Sequence, residues 1–183
     1  MSSIEVMVPT KPARVPVPAA LAPRDALPEH PHLTLISNGK PKAREFLELL
    51  AEELGESLAF GEVELVAKPG ASLTIPPAEA EQIAARSDLV IAALGDCGAC
   101  SACSLHDAVQ FERLGVPSTV IITDVFTRSV ANFARSLGMP GYHTVVLPHP
   151  VSSRDMDRLR RMAADAAPVA RDQLAARVPA LSA

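Results

Sequence analysis

The stretch that decides the fold is DLVIAALGDCGACSAC, residues 88–103. After its opening aspartate the run through Leu94 is strongly apolar and of strand length, and it stops at Gly95. Directly behind the stop come Asp96 and then Cys97, Cys100 and Cys103, the three cysteines of the chain. A strand that empties into a cluster of thiols puts chemistry at its carboxyl end, where open α/β sheets gather their sites.

Outward from that stretch the same alternation repeats in both directions. Upstream, residues 33–37 form an apolar run, then Asn38-Gly39-Lys40-Pro41 leads into an amphipathic stretch. There Phe46, Leu47, Leu50, Ala51 and Leu54 recur at helical spacing until Gly55 stops the pattern. Residues 62–67 read as a strand, and Pro76-Pro77 open a helix over residues 78–86 with Ile83 on its buried side. Downstream, residues 104–114 read as a helix opened by a capping box between Ser104 and Asp107. Residues 118–123 are a β-branched strand, 125–137 a helix and 143–147 the last strand. A long Ala- and Arg-rich helix follows, capped by Ser152 or Ser153 and interrupted at Pro168. Five strands separated by helices call for right-handed crossovers and a mostly parallel sheet. The most economical layout is a three-layer α/β domain of the flavodoxin or Rossmann kind over residues 33–183, with strand order 2-1-3-4-5.

Residues 1–32 read as a proline-rich arm, with prolines at 9, 12, 16, 18, 23, 28 and 31 breaking any ladder. A partly mobile tail is the expectation, and an arm that wraps a partner subunit is the sharper alternative. Apolar pieces at 4–8 and 15–17 suit an extended segment lying on a surface. The whole chain, 183 residues with 48% hydrophobic and 21% charged content, is the size of one domain with a buried core. Seventeen Lys and Arg against 21 Asp and Glu leave a net charge of −4, and aromatics are only 3%, which argues against a nucleic-acid partner. Apolar runs at 89–94 and 144–147 are far too short for a membrane span, and the N-terminus lacks a signal peptide's apolar core. A cytoplasmic protein is expected.

The proposed topology brings four strand ends to one rim. Asn38, Gly39 and Lys40 follow the first strand, Asp96 to Cys100 the third, Thr123 and Asp124 the fourth, and Pro148, His149 and Pro150 the fifth. A helix start near Cys97 favours thiolate over thiol there; Lys40 or a charged His149 acts the same way, and Asp96 opposes. The Cys-x-x-Cys spacing suits attack by Cys97 and resolution by Cys100 as a disulfide, with Cys103 as an accessory thiol. His149 is the candidate for proton transfer, Lys40 for an anionic group, and Asn38, Gly39 and Asp124 for further substrate contacts. No cofactor beyond a redox-active disulfide is expected, since Gly-x-Gly-x-x-Gly is absent. Zinc is the competing reading, held by Cys97, Cys100 and Cys103 with His106 or His149, although three ligands then crowd one helical turn. His106, His143 and the arginines at 158, 160 and 161 read more simply as surface or framework.

At these residues the chain resembles the UGSC-motif proteins, some of which carry selenocysteine. The resemblance runs over Gly95-Asp96-Cys97-Gly98-Ala99-Cys100-Ser101-Ala102-Cys103-Ser104, with Cys97 at the selenocysteine position and Ala99 where the family name has Ser. It extends to Asn38-Gly39-Lys40-Pro41, Leu147-Pro148-His149-Pro150 and the opening Val8-Pro9-Thr10. Selenium in relatives implies redox or nucleophilic work at position 97. The motif is also similar in style to the selenocysteine region of glycine and betaine reductase B subunits, which implies reductive cleavage of carbon–heteroatom bonds by analogy. The expectation is a thiol-dependent oxidoreductase or reductive lyase acting on a small molecule and regenerated by a dithiol or partner protein. Two alternatives stand beside it. One is a noncatalytic metal-binding or electron-transfer subunit, associated through the arm as a homo- or hetero-oligomer. The other is a nonredox lyase or hydrolase using Cys97 covalently.

Overall fold

The computed structural model describes residues 16–24 and 27–175. The strands are β1 (His32–Ser37), β2 (Glu62–Ala67), β3 (Leu89–Gly95), β4 (Ser118–Thr123) and β5 (Val145–Leu147). The helices are α1 (Ala43–Gly55), α2 (Pro77–Ala84), α3 (Gly98–Arg113), α4 (Thr127–Ser136) and α5 (Met156–Ala175). The strands form one parallel sheet in the order β2-β1-β3-β4-β5, the order expected by analogy with flavodoxin-like layouts.

Period-two alternation along β3 explains why its run is apolar throughout. Leu89, Ile91 and Ala93 face one core with α1 and α5, whereas Val90 and Ala92 face the other with α2, α3 and α4. A strand covered on both faces has no polar side to show. The edge strand β2, by contrast, leaves Val63 exposed. Between Ala92 and Gly95 the register against β4 shifts.

Several element ends differ from the sequence reading. Helix α3 starts at Gly98 rather than at residue 104, because Cys97 caps it. The capping box expected of Ser104 and Asp107 is therefore absent: both are buried in mid-helix, and Asp107 takes a hydrogen bond from Ile75 N at 2.9 Å and an ion pair from Lys68. Helix α5 runs unbroken through Pro168. Pro168 and Ala164 are both exposed, so the carbonyl left without its N–H partner is on the wet side of the helix. The start of α5 is held by Asp155, whose carboxylate accepts the Arg158 amide at 2.7 Å, and not by Ser152 or Ser153. Strand β5 begins at Val145, leaving His143 in the preceding loop.

The described part of the arm is docked on its own domain rather than free. Ala19 N donates to Gly138 O, and Ala22 N donates to the buried Glu112 carboxylate at 2.6 Å. Arg24 completes the anchor with an ion pair to Glu112 and a hydrogen bond to Gln173 O. The apolar piece at 4–8, and with it the family-like opening at 8–10, lies outside the described residues. No helix of the described residues is long and apolar enough to cross a membrane.

Candidate functional site

The cysteine turn is built by Gly95. A Cβ there would meet Ile122 Cγ2 and Ser101 Oγ, each at 2.8 Å, so the absence of a side chain is what lets the first turn of α3 press against the ends of β3 and β4. Cys97 then leaves the sheet in extended conformation and caps α3 reciprocally. Its Sγ accepts Cys100 N at 3.2 Å, while Cys97 N donates to Cys100 Sγ at 2.8 Å. The Cys97 carbonyl accepts the Ser101 hydroxyl at 2.6 Å and the Cys100 thiol at 3.2 Å.

This geometry makes the two thiols unequal. Burial raises the Cys97 thiol, but the Cys100 thiol, the amides of Cys100 and Ala99 and the charge of Lys40 outweigh it, and the net position is below an ordinary cysteine. Cys100 is fully buried and is pushed up to about 11, first by that burial and then by the neighbouring Cys97. Cys103 is half-buried and also raised, chiefly by burial. It feels the charges of Lys68 and Asp107, which sets it apart from the Lys40 side of the turn. All three cysteines are free thiols.

The loop after β1 reaches this turn through Asn38. Its side-chain amide donates to Leu94 O at 2.9 Å and Ser104 Oγ at 3.2 Å, and its carbonyl oxygen accepts Lys40 N at 3.2 Å. Asn38 is 1% exposed, so its polar atoms hold the loop against β3 and α3. Gly39 adopts a positive φ of 76°, while a Cβ would meet nothing closer than Lys68 O at 3.8 Å; conformation, not space, calls for glycine. Lys40 is left half-exposed, with its charge bearing on both Cys97 and Cys100.

On the other side of the rim the ends of β3, β4 and β5 meet. His149 Nδ1 lies 3.1 Å from Asp96 Oδ1 and 3.0 Å from Thr123 Oγ1. Asp96 is buried and also accepts Val151 N at 3.1 Å and Ser152 N at 3.2 Å. Burial works against its charge, yet hydrogen bonds from Ser152 and Val151 and the proximity of His149 bring it below the usual aspartate range. Asp124 accepts His149 N at 3.3 Å, and Arg154 donates to the carbonyls of His149 and Pro150. Phe126 packs edge-on to the imidazole with ring centres 5.8 Å apart.

The rim therefore brings together Asn38, Lys40, Cys97 and Cys100 on one side and Asp96, Thr123, Asp124 and His149 on the other. Asp124 is seen here as a support for the His149 backbone. Among the described residues no three His, Cys, Asp or Glu side chains gather as a metal-binding group. His106 stays partly exposed, its Nδ1 3.8 Å from Asp107 Oδ1. Sequence reading put Thr123 on the rim without giving it a role, overlooked Arg154, and saw in Asp96 only a charge opposing the thiolate. The signal for Asp96 was its place between the strand end and Cys97; its partners lie more than 50 residues away along the chain.

A family model described as the UGSC family matches residues 5–176. None of the curated proteins is a significant match to the chain. Among solved structures, the chain is similar to a diflavin flavoprotein A3 from Nostoc sp., at 12% identity and a TM-score of 0.41, over 79% of this chain and 96% of that one. It is also similar to the flavodoxin-like domain of a Synechococcus sp. protein, at 9% identity and a TM-score of 0.38, over 75% and 96%. At such scores neither says anything about a flavin in this chain.

Proposed function

The chain belongs to the UGSC family, and from that premise we propose that it is a thiol-dependent enzyme that reductively cleaves a carbon–heteroatom bond in a small anionic molecule. The observation that carries this reading is the reciprocal cap at the start of α3, which places a lowered Cys97 thiol against a raised, buried Cys100 thiol. An attacking thiol should ionise readily and a resolving one should wait. Lys40 holds the anionic group of the substrate beside Cys97.

The chemistry balances with these two sulfurs alone. Cys97 thiolate forms a bond to the substrate carbon, and the heteroatom leaves with the bonding pair. Cys100 then attacks Cys97 Sγ, forming the disulfide and breaking the carbon–sulfur bond, whose electron pair stays on carbon. The hydrogen that Cys100 loses is the one the carbon gains, passed through His149. Two thiols are oxidised to a disulfide and the substrate carbon is reduced by two electrons. An external dithiol, small or on a partner protein, restores the pair. Burial still holds the Cys100 thiol up, but once Cys97 is bonded to carbon it no longer adds the charge that also disfavours ionisation of Cys100. The three free thiols suit a reducing compartment, and we place the protein in the cytoplasm.

The test is iodoacetamide alkylation as a function of pH on the wild type and each single Cys→Ala variant, with oxidised glutathione and mass spectrometry alongside. Cys97 should alkylate faster than free cysteine at neutral pH. Oxidation should give a Cys97–Cys100 disulfide in the wild type and a glutathione adduct on Cys97 in Cys100→Ala. A Cys97 that reacts no faster than free cysteine defeats the reading.

A further inference from the structure

His149 was assigned above only as a carrier of protons; its surroundings specify which atom carries them. Thr123 Oγ1 has one hydrogen and two partners for it, Gly95 O at 3.2 Å, which can only accept, and His149 Nδ1 at 3.0 Å. The Asp96 carboxylate decides between them: its Oδ1, 3.1 Å from Nδ1, offers only lone pairs, so Nδ1 carries a hydrogen and that of Thr123 goes to Gly95 O. Two acceptors thus converge on Nδ1, which must hold the hydrogen when the ring is neutral, and the free lone pair falls on Nε2.

The ring has little freedom to present any other arrangement. The Asp96 carboxylate is fixed by the amides of Val151 and Ser152. The His149 backbone is held from both ends, its N–H by Asp124 and its carbonyl by Arg154. Phe126 meets the ring edge-on. Asp96 follows β3, Thr123 ends β4, Asp124 and Phe126 follow it and Arg154 lies beyond β5, so the arrangement is assembled by the sheet rather than by local sequence.

We propose that Asp96, Thr123 and His149 form one proton-transfer unit whose working atom is His149 Nε2, with Asp96 and Thr123 as positioning residues. The proposal rests on the reading of Cys97 only for what the proton is used on. In the cleavage, Nε2 accepts the hydrogen released by Cys100 and gives it to the carbon that holds the electron pair of the broken carbon–sulfur bond. Nδ1–H stays in place throughout, and Asp96 balances the imidazolium without taking a proton.

The tautomer is measurable without substrate. Long-range 1H–15N correlation spectra of the reduced full chain report the protonation of both ring nitrogens, and the signals of His149, one of five histidines, are identified by their loss in His149→Gln. The neutral ring should favour Nδ1–H over Nε2–H by about tenfold or more, the range of a hydrogen bond to a charged group. Asp96→Asn and Thr123→Val should each reduce that preference, Asp96→Asn by about tenfold. If Asp96→Asn fails to fold, Thr123→Val decides. A wild type dominated by Nε2–H, or a ratio unchanged in the folded variants, overturns the proposal. Because the spectra need neither substrate nor any modification of Cys97, a Cys97 that proves unreactive leaves this result standing, and the two failures are distinguishable.

Discussion

The two glycines beside Cys97 serve different purposes, and Gly95→Ala separates them. A Cβ at Gly95 would sit 2.8 Å from Ile122 Cγ2 and Ser101 Oγ and 3.2 Å from Ile122 Cα. Ile122 is β-branched and fully buried in β4, so no rotamer change relieves the contact, and its Cα moves only with the strand. Overpacking of this kind costs about 1–3 kcal/mol, against about 0.4–1 kcal/mol gained from the less flexible unfolded chain. The net cost reaches about 2.6 kcal/mol, and at about 2–4 °C per kcal/mol for a chain of this size the melting temperature falls by up to about 10 °C. The easier direction of relief is outward movement of α3, which pulls Ser101 Oγ from the Cys97 carbonyl it meets at 2.6 Å and loosens the cap. Iodoacetamide should then label Cys97 more slowly at neutral pH. Gly98→Ala is the control, because a Cβ there meets nothing within 4 Å. Only the entropy gain applies, and that variant should melt at the wild-type temperature or up to about 4 °C higher. Thermal unfolding and labelling rates measured on both variants decide the matter. A Gly95→Ala protein with wild-type melting and labelling would refute the argument from packing.

Glu112→Ala should cost about 3–5 kcal/mol in urea unfolding, because it strands the buried Arg24 guanidinium and leaves Ala22 N and Ser118 N without their acceptor; a loss below about 1 kcal/mol would mean that the arm does not dock. Lys40→Met should slow Cys97 alkylation at pH 7, and the gap between variant and wild type should narrow as salt is added, since the lysine acts through its charge. An unchanged rate would remove Lys40 from the site. Asp96 has a carboxyl group below its ordinary range, so its contribution to stability is complete above the unfolded aspartate value and drains as pH falls below about 4. Unfolding in acid should accordingly show a shallower loss in Asp96→Asn than in the wild type, and parallel curves would count against the assigned hydrogen bonds.

What the sequence made legible was set by local periodicity. The boundaries of β2 and β4 follow from runs of strand length between turns, and the parallel α/β class follows from β-α alternation, whereas the strand order came by analogy with flavodoxin-like layouts. The start of α3 was misread because a cysteine is not among the usual capping residues, while Ser104 and Asp107 carry the pattern of a helix start. Tertiary structure claimed both: Ser104 accepts from Asn38, and Asp107 receives Lys68 from the end of β2. The rim was legible as a set of strand ends, with Lys40 among them. Its internal wiring was not, since each bond from Asp96 to His149, Val151 or Ser152 spans the whole distance from β3 to the loop beyond β5, a separation no local pattern encodes.

One consequence of the early helix start reaches the chemistry. Cys97, Cys100 and Cys103 are evenly spaced, yet they occupy the cap, the third position and the sixth position of α3, and only the first two lie where backbone amides lack intrahelical partners. Cys97 Sγ takes one of those amides, and the amide of Cys97 itself is taken by Cys100 Sγ, so each sulfur satisfies the other's backbone. A charge on Cys97 is therefore met by donors, whereas a charge on Cys100 would arise in a buried position next to one already present. Cys103 lies a turn deeper, beyond the unsatisfied amides. The order proposed for attack and resolution thus rests on where the helix begins: had it started at residue 104, none of the three thiols would have been set apart from the others by these amides.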